Sequence, residues 1–173
     1  MSICSNCASL QKTCCQGSDI ILTDNDIKRI APLEITEKIA VKIGGFYERR
    51  FPADYDYGQD EDPNWDSYTL DSDRKMQLMK KNQHGNCVFL GDAGCKLELE
   101  MRPVICRIYP FYYNEEKILE LDPYKCPSGI VINDDRWLRE NLGVDKTMAD
   151  QWRAQFYKEL KEGNIYNENR TNI

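Results

Sequence analysis

The sequence predicts a small, irregular α+β domain with two β-hairpins, short helices and a C-terminal helix, and three observations carry that prediction. Met76 to Leu90 and Arg107 to Leu121 each set apolar residues on both sides of a polar turn, the pattern of a hairpin. Short segments with apolar residues three and four apart, the strongest near the C-terminus, read as helices. The first 17 residues, rich in Cys, Ser, Gln and Gly, follow neither period and read as a loop wrapped around something other than a packed core.

Asp19-Ile20-Ile21-Leu22 is a short apolar run expected to be a strand, after which Thr23 caps a helix with Asp24 and Asp26 in its first turn. That helix is expected to run to Ala31 and stop at Pro32. Ile35-Thr36 opens a second helical pattern, with Ile39, Ala40 and Ile43 on one side and Gly44-Gly45 as its stop. From Tyr47 to Ser67 the period is lost, and Asp54, Asp56, Asp60, Glu61, Asp62 and Asp66 mark an acidic loop. Asp60-x-Asp62-x-Asn64 starts like a calcium loop, but Trp65 stands where Gly is needed, Pro63 intrudes, and Asp71 replaces the final Glu. A solvated acidic loop is the better reading.

Met76 and Leu78 alternate with Lys75 and Gln77, and the turn at His84-Gly85-Asn86 leads into a returning strand that starts at Cys87. Gly91 to Gly94 is a second turn, Cys95 follows, and Lys96 to Glu100 reads as a short helix ending before Pro103. Arg107 to Tyr113 and Ile118 to Leu121 form the second hairpin, tipped by Asn114 to Lys117, and Cys126 lies in an irregular segment beyond it. A final helix over about 148–162 is opened by the Thr147 and Asp150 pair, carries Trp152, Phe156 and Leu160 at helical spacing, and is stopped by Gly163. One domain spanning 1–163 with a flexible tail over 164–173 is expected.

Composition narrows the function classes. A formal charge of −6 and a pI near 4.9 leave no basic surface for a phosphate backbone, so no nucleic-acid partner is expected. The N-terminus lacks a basic and apolar leader, and no segment approaches the ~20 apolar residues that cross a bilayer. A soluble, cytoplasmic protein without a membrane partner is the expectation. Eight cysteines in a reducing compartment point to metal thiolates or redox chemistry in preference to disulfides. A chain of 173 residues also buries enough surface to fold without covalent staples.

The cysteines fall into two sets, Cys4, Cys7, Cys14 and Cys15 near the start and Cys87, Cys95, Cys106 and Cys126 far downstream. Cys-x2-Cys lets a tight loop aim two sulfurs at one centre, and soft thiolates favour zinc, iron and iron-sulfur clusters. The adjacent Cys14 and Cys15 point to opposite faces of an extended backbone and can serve different centres. Eight thiols make two four-sulfur sites, or one with the remainder free for other chemistry. Arg102 and Arg107 flank downstream cysteines and can offset thiolate charge, bind an anionic cofactor group, or pair with Glu98 or Glu100. His84 reads as a solvent-facing turn residue, and Tyr109, Tyr112 and Tyr113 as packing residues. No Ser/His/Asp set, phosphate loop or dinucleotide fingerprint is present.

The order Cys4-x2-Cys7, six residues, Cys14-Cys15, the Ile20 to Ala31 stretch, Cys87-Val88-Phe89-Leu90-x4-Cys95 and Arg102-Pro103-x2-Cys106-Arg107-x-Tyr109-Pro110-Phe111 resembles the YkgJ-type cysteine-cluster family, a zinc- or iron-chelating CxxCxxCC domain. The resemblance covers roughly residues 4 to 126 and departs from the family in the longer spacing before Cys14 and in the acidic insertion around residues 47 to 70. It implies a metal-stapled domain with all eight cysteines as metal candidates, and it places Arg102, Arg107 and Tyr109 beside the centre as candidate cofactor-binding residues. Flagellin lysine methylases look as if they use a related cluster. Three readings follow: a thiolate protein of zinc or an iron-sulfur cluster with a redox, sensing or accessory role; a methylase-like modification enzyme built around Arg102 and Arg107; and a zinc-stapled module whose acidic loop meets a protein partner.

Overall fold

Three two-stranded antiparallel sheets are interleaved with helices in the computed structural model, which describes residues 15–16, 18–37, 45–52, 62–121 and 134–168. The α+β expectation holds. Helix α1 spans Asp24–Glu37, and its start matches the sequence reading: the Asp26 N–H donates to Thr23 Oγ1 at 3.0 Å and Thr23 N–H to Asp26 Oδ2 at 3.1 Å. This reciprocal pair satisfies two of the donors that a helix start leaves open. The end differs. Pro32 lies inside the helix, and Ile35-Thr36 belongs to the same element and not to a second one. Proline removes one ladder bond, but its fixed φ is helical, and Ile30, fully buried two residues earlier, anchors the helix beside the break. The expected positions of Ile39, Ala40, Ile43 and Gly44 lie outside the described residues.

The acidic-loop expectation is corrected at its two ends. Strand β1, Tyr47–Arg50, pairs with β2, Met76–Met79, in the register Tyr47 with Met79 through Arg50 with Met76. Its side chains alternate between exposed and half-buried, so a polar edge strand leaves no apolar period to read. The Ile20 to Leu22 run forms no strand of its own but lies along the other edge of β2. Leu22 N–H donates to Gln77 O at 2.9 Å and Met79 N–H to Ile20 O at 2.8 Å. Trp65–Thr69 is a short helix, α2, while residues 53–61 lie outside the described part.

The first expected hairpin closes at a single bridge between Lys81 and Cys87 around the exposed His84. The real two-stranded piece is shorter and later, with β3 at Leu90–Gly91 and β4 at Gly94–Cys95. Cys95 therefore sits in a strand, and the expected helix over Lys96 to Glu100 is a single 3-10 turn at Leu99–Met101. Helix α3 is Val104–Ile108, so Cys106 and Arg107 are helical and the second hairpin begins only at Phe111. That hairpin, β5 Phe111–Tyr113 with β6 Ile118–Leu121, has the expected polar tip, where Asn114 Oδ1 accepts from the Glu116 and Lys117 N–H groups.

Helix α4, Asp135–Leu142, is absent from the sequence reading although its signals are there. Asp134 accepts from Trp137 N–H as the cap, and Gly143 at φ 72° takes the left-handed position that ends it. Helix α5, Lys146–Glu168, starts two residues earlier than Thr147 and Asp150 suggest, because Asp145 Oδ1 accepts from Met148 N–H at 2.9 Å. It also passes through Gly163, which is tolerated inside a helix at a cost of about 1 kcal/mol. A Cβ on Gly163 would stand 3.6 Å from a carboxylate oxygen of Asp24, so the small residue lets α5 pass close to the start of α1. Residues 164–168, expected in a flexible tail, are helical.

Two clusters of buried side chains result. One surrounds α5, with Phe156, Leu138, Val104, Ile108, Met76 and Leu78 at its centre. The other joins Ile20, Leu22, Ile30, Phe46, Met79, Val88, Phe89 and Leu97 to Cys87, with Cys15, Cys95 and Cys106 packed against it. Ile105 touches both. The four described cysteines thus line the second core, Cys87 buried and Cys15, Cys95 and Cys106 half-buried.

Candidate metal centre

Four of the eight cysteines, Cys15, Cys87, Cys95 and Cys106, lie among the described residues, and four different local structures bring them together. Cys15 is fixed through its carbonyl, which accepts from the Cys87 N–H at 3.2 Å and from Lys81 Nζ at 2.7 Å. Cys87 begins a turn closed by Leu90 N–H to Cys87 O at 2.9 Å, and β3 then pairs Leu90 with Cys95. Lys96 N–H donates to Phe89 O at 2.9 Å, which ties the two turns together. Cys106 is the third residue of α3, whose first turn opens with its N–H on Pro103 O at 2.9 Å.

Burial and mutual repulsion both disfavour the thiolates. Burial pushes the Cys87 thiol up to about 12, and the charges of Cys15 and Cys95 push in the same direction. Cys106 is raised well above the ordinary thiol value, first by burial and then by Cys15, Cys87, Cys95 and Asp26. Cys95 is raised by burial with a contribution from Cys15. Every pair among the four thus feels the other's charge. As the side chains lie, no three Cys, His, Asp or Glu among the described residues are grouped tightly enough to hold an ion.

The donor set nevertheless fits a thiophilic metal. Against burial, the Phe89 backbone pulls the Cys87 thiol down, and the Leu97 backbone and the Arg102 charge pull the Cys95 thiol down. A neutral thiol is a weak acceptor, whereas a thiolate gains from each donor. Burial disfavours bare thiolates and the four repel one another, so a bound cation offsets the cost that both effects impose. Cys4, Cys7, Cys14 and Cys126 lie outside the described residues.

The remaining candidates divide clearly. Arg107 is buried and spends its Nε on Arg102 O at 2.9 Å and its Nη2 on Glu100 O at 2.8 Å. Its expected glutamate partner is therefore present, but through the backbone carbonyl. Arg102 Nε donates to Leu97 O at 3.0 Å. Tyr109, half-buried, follows the last residue of α3. His84 is exposed, and its N–H is held by Asn82 Oδ1 in the turn. Tyr113 packs on Phe156 and Tyr157. Asp62, the middle residue of the calcium-like triplet, is buried and accepts from Tyr157 Oη.

One residue of the site went unread in the sequence. Asp26 has no solvent exposure, and besides Thr23 it accepts from Val104 N–H at 3.0 Å, the first residue of α3, and from Arg29. Burial raises its carboxyl above the ordinary range against the pull of these donors. Its only trace is Thr23-x-x-Asp26, the shape of a capping box with Asp in place of Glu.

The model of the CxxCxxCC family, whose description is "Putative zinc- or iron-chelating domain", matches residues 3–127. The chain belongs to the CxxCxxCC family. The matched span contains all eight cysteines and leaves α4 and α5 beyond its end. No curated protein and no solved structure matches the chain significantly. The family description supports metal binding, with zinc or iron as the ion. Among the described residues no helix is long and apolar enough to cross a membrane.

Proposed function

We propose that this CxxCxxCC domain holds zinc or an iron-sulfur cluster through cysteine thiolates, and that its role is redox, sensing or accessory in the cytoplasm. Cys15, Cys87, Cys95 and Cys106 supply the inner half of the ligand set, and Cys4, Cys7, Cys14 and Cys126 supply the rest. The observation that carries this reading is the convergence of four thiols from a turn, a bridge, a strand and a helix onto one buried core. A bound metal would supply charge neutralisation there, and electron transfer if it is an iron-sulfur cluster. The protein's own part is to exclude water with Phe89, Leu97 and Ile105 and to hold α3 in place through Asp26. Arg107 is spent on backbone carbonyls, which weighs against its receiving an anionic substrate in a methylase-like reaction.

Purification without oxygen, followed by zinc, iron and sulfide analysis and a visible spectrum, tests the proposal. Stoichiometric metal that falls sharply in C87S and C106S supports it, with colour separating an iron-sulfur cluster from zinc. A folded, metal-free protein that takes up neither ion contradicts it.

A further inference from the structure

We propose that the outer edge of β1 pairs with β1 of a second copy of this chain, as antiparallel strands about a two-fold axis at Arg49. Strand β2 is enclosed, with β1 on one side and the Ile20 to Leu22 run on the other, whereas among the described residues no backbone hydrogen bond reaches the outer side of β1. The alternation of backbone groups identifies the residues that face that side. Lys80 N–H donates to Phe46 O at 2.9 Å, while Gln77 and Met79 turn their groups the other way, to Leu22 and Ile20. Glu48 and Arg50 therefore face Leu78 and Met76 in the ladder, and Tyr47, Arg49 and Phe51 aim their N–H and C=O groups outward. Phe51, just past the strand, also accepts from Arg50 Nη1 through its O at 3.0 Å, and a carbonyl has a second acceptor site.

The order of side chains decides what fits this edge. An unpaired edge is a template for another strand, and charges on it ordinarily keep other strands away. Here Tyr47-Glu48-Arg49-Arg50-Phe51 is self-complementary. Pairing about Arg49 sets Tyr47 opposite Phe51 of the other copy and Glu48 opposite Arg50 of the other copy, each twice. Tyr47, 37% exposed, and Phe51, 61% exposed, are with Tyr112 the exposed large hydrophobic residues among those described, and this pairing covers both. The Glu48 and Arg50 side chains, 41% and 31% exposed, keep room for a cross-strand contact beside their own 3.1 Å bridge. Moving the axis by one residue loses the match, since it sets Glu48 or Arg50 opposite itself, and like charges directly opposite are unfavourable. The one unfavourable contact in the chosen register is Arg49 against its own copy on the axis, softened because Arg49 also binds Asp71 at 3.3 Å and Gln77 at 3.2 Å. So short a strand falls below the roughly 20–30 residues a side of a standard interface, so the dimer is weak and concentration-dependent.

The test is sedimentation of the full chain from low micromolar to millimolar concentration, with amide hydrogen exchange read by NMR at both ends of that range. Wild type should pass from monomer to dimer. The Tyr47, Arg49 and Phe51 amides should slow as it does, while those of Glu48 and Arg50, already turned to β2, stay as they are. F51S should weaken the dimer about twofold to thirtyfold, the worth of two cross-strand aromatic pairs. R49P removes the outward N–H on the axis, leaves the β2 ladder its donors, and should abolish the dimer. R49T removes the facing like charges and should strengthen the dimer about twofold to fivefold. F51S and R49T both replace exposed side chains, so they carry the test if R49P does not fold. A chain that stays monomeric at millimolar concentration would overturn the proposal, as would a dimer that F51S and R49T leave unchanged. Edge amides protected equally at every concentration would also overturn it, because another stretch of the same chain would then hold the edge.

Discussion

Asp26→Ala removes one carboxylate from a place with no solvent exposure and strands the groups it serves. The Thr23 and Val104 N–H groups, at 3.1 and 3.0 Å, lose their acceptor, and Arg29 loses its partner. A buried donor left unsatisfied costs about 1–3 kcal/mol. Arg29, 22% exposed, can turn to water and adds little. The expected loss is therefore about 3–5 kcal/mol for D26A, dominated by the two N–H groups. D26N keeps one acceptor oxygen and should lose about half as much. Urea denaturation followed by circular dichroism reads the loss as a lower midpoint at unchanged slope. A loss below about 1 kcal/mol for D26A would refute the reasoning, since it would mean that the orphaned N–H groups find other partners. Because Val104 opens the helix that carries Cys106, D26N should also retain metal less well than an equally destabilised variant in the α5 core.

Other substitutions test separate parts of the fold. Phe156→Ala empties a fully buried position ringed by Trp65, Tyr113 and Tyr157 and should cost about 3–5 kcal/mol in the same assay. Asp145→Ala removes the cap of α5 and the partner of Arg139, a loss of about 1–2 kcal/mol at neutral pH. The Met148 N–H and Arg139 hold the Asp145 carboxyl below its ordinary 3.8, so its contribution is present above that pH and lost as pH falls through the lower folded value. The stability gap between wild type and D145A should accordingly close in strong acid, and a gap constant from neutral pH to well below 3.8 would contradict the assignment. Gly143→Ala places a side chain at φ 72° and should destabilise α4 by about 1 kcal/mol, measurable as a small drop in melting temperature.

How much of this was legible follows from where each signal is written. The Thr23 cap and the Asn114 tip are local hydrogen-bond chemistry, carried by one or two residues, and both are found where the sequence places them. The eight cysteines announce soft-metal chemistry by residue type alone. Other features depend on what packs against them. Tyr47–Arg50 is a strand because β2 offers it an edge, and Tyr-Glu-Arg-Arg carries no period that says so. Pro32 and Gly163 read as stops, yet packing across Ile30 and the close pass by Asp24 carry both helices onward. Asp134 and Gly143 mark the ends of α4 in local chemistry, and Leu138 is its one fully buried side chain. Asp26 lay beyond sequence reading for a different reason: its second partner, Val104, is 78 positions away.

X-ray absorption at the edge of the bound metal, on protein purified without oxygen, tests the central claim most directly. A sulfur-only ligand shell is predicted, with zinc–sulfur distances near about 2.3 Å if the ion is zinc, and C106S should lose metal or show a lighter scatterer in place of one sulfur. Nitrogen or oxygen ligands at about 2.0–2.2 Å in the wild type, or a shell unchanged in C106S, would contradict it.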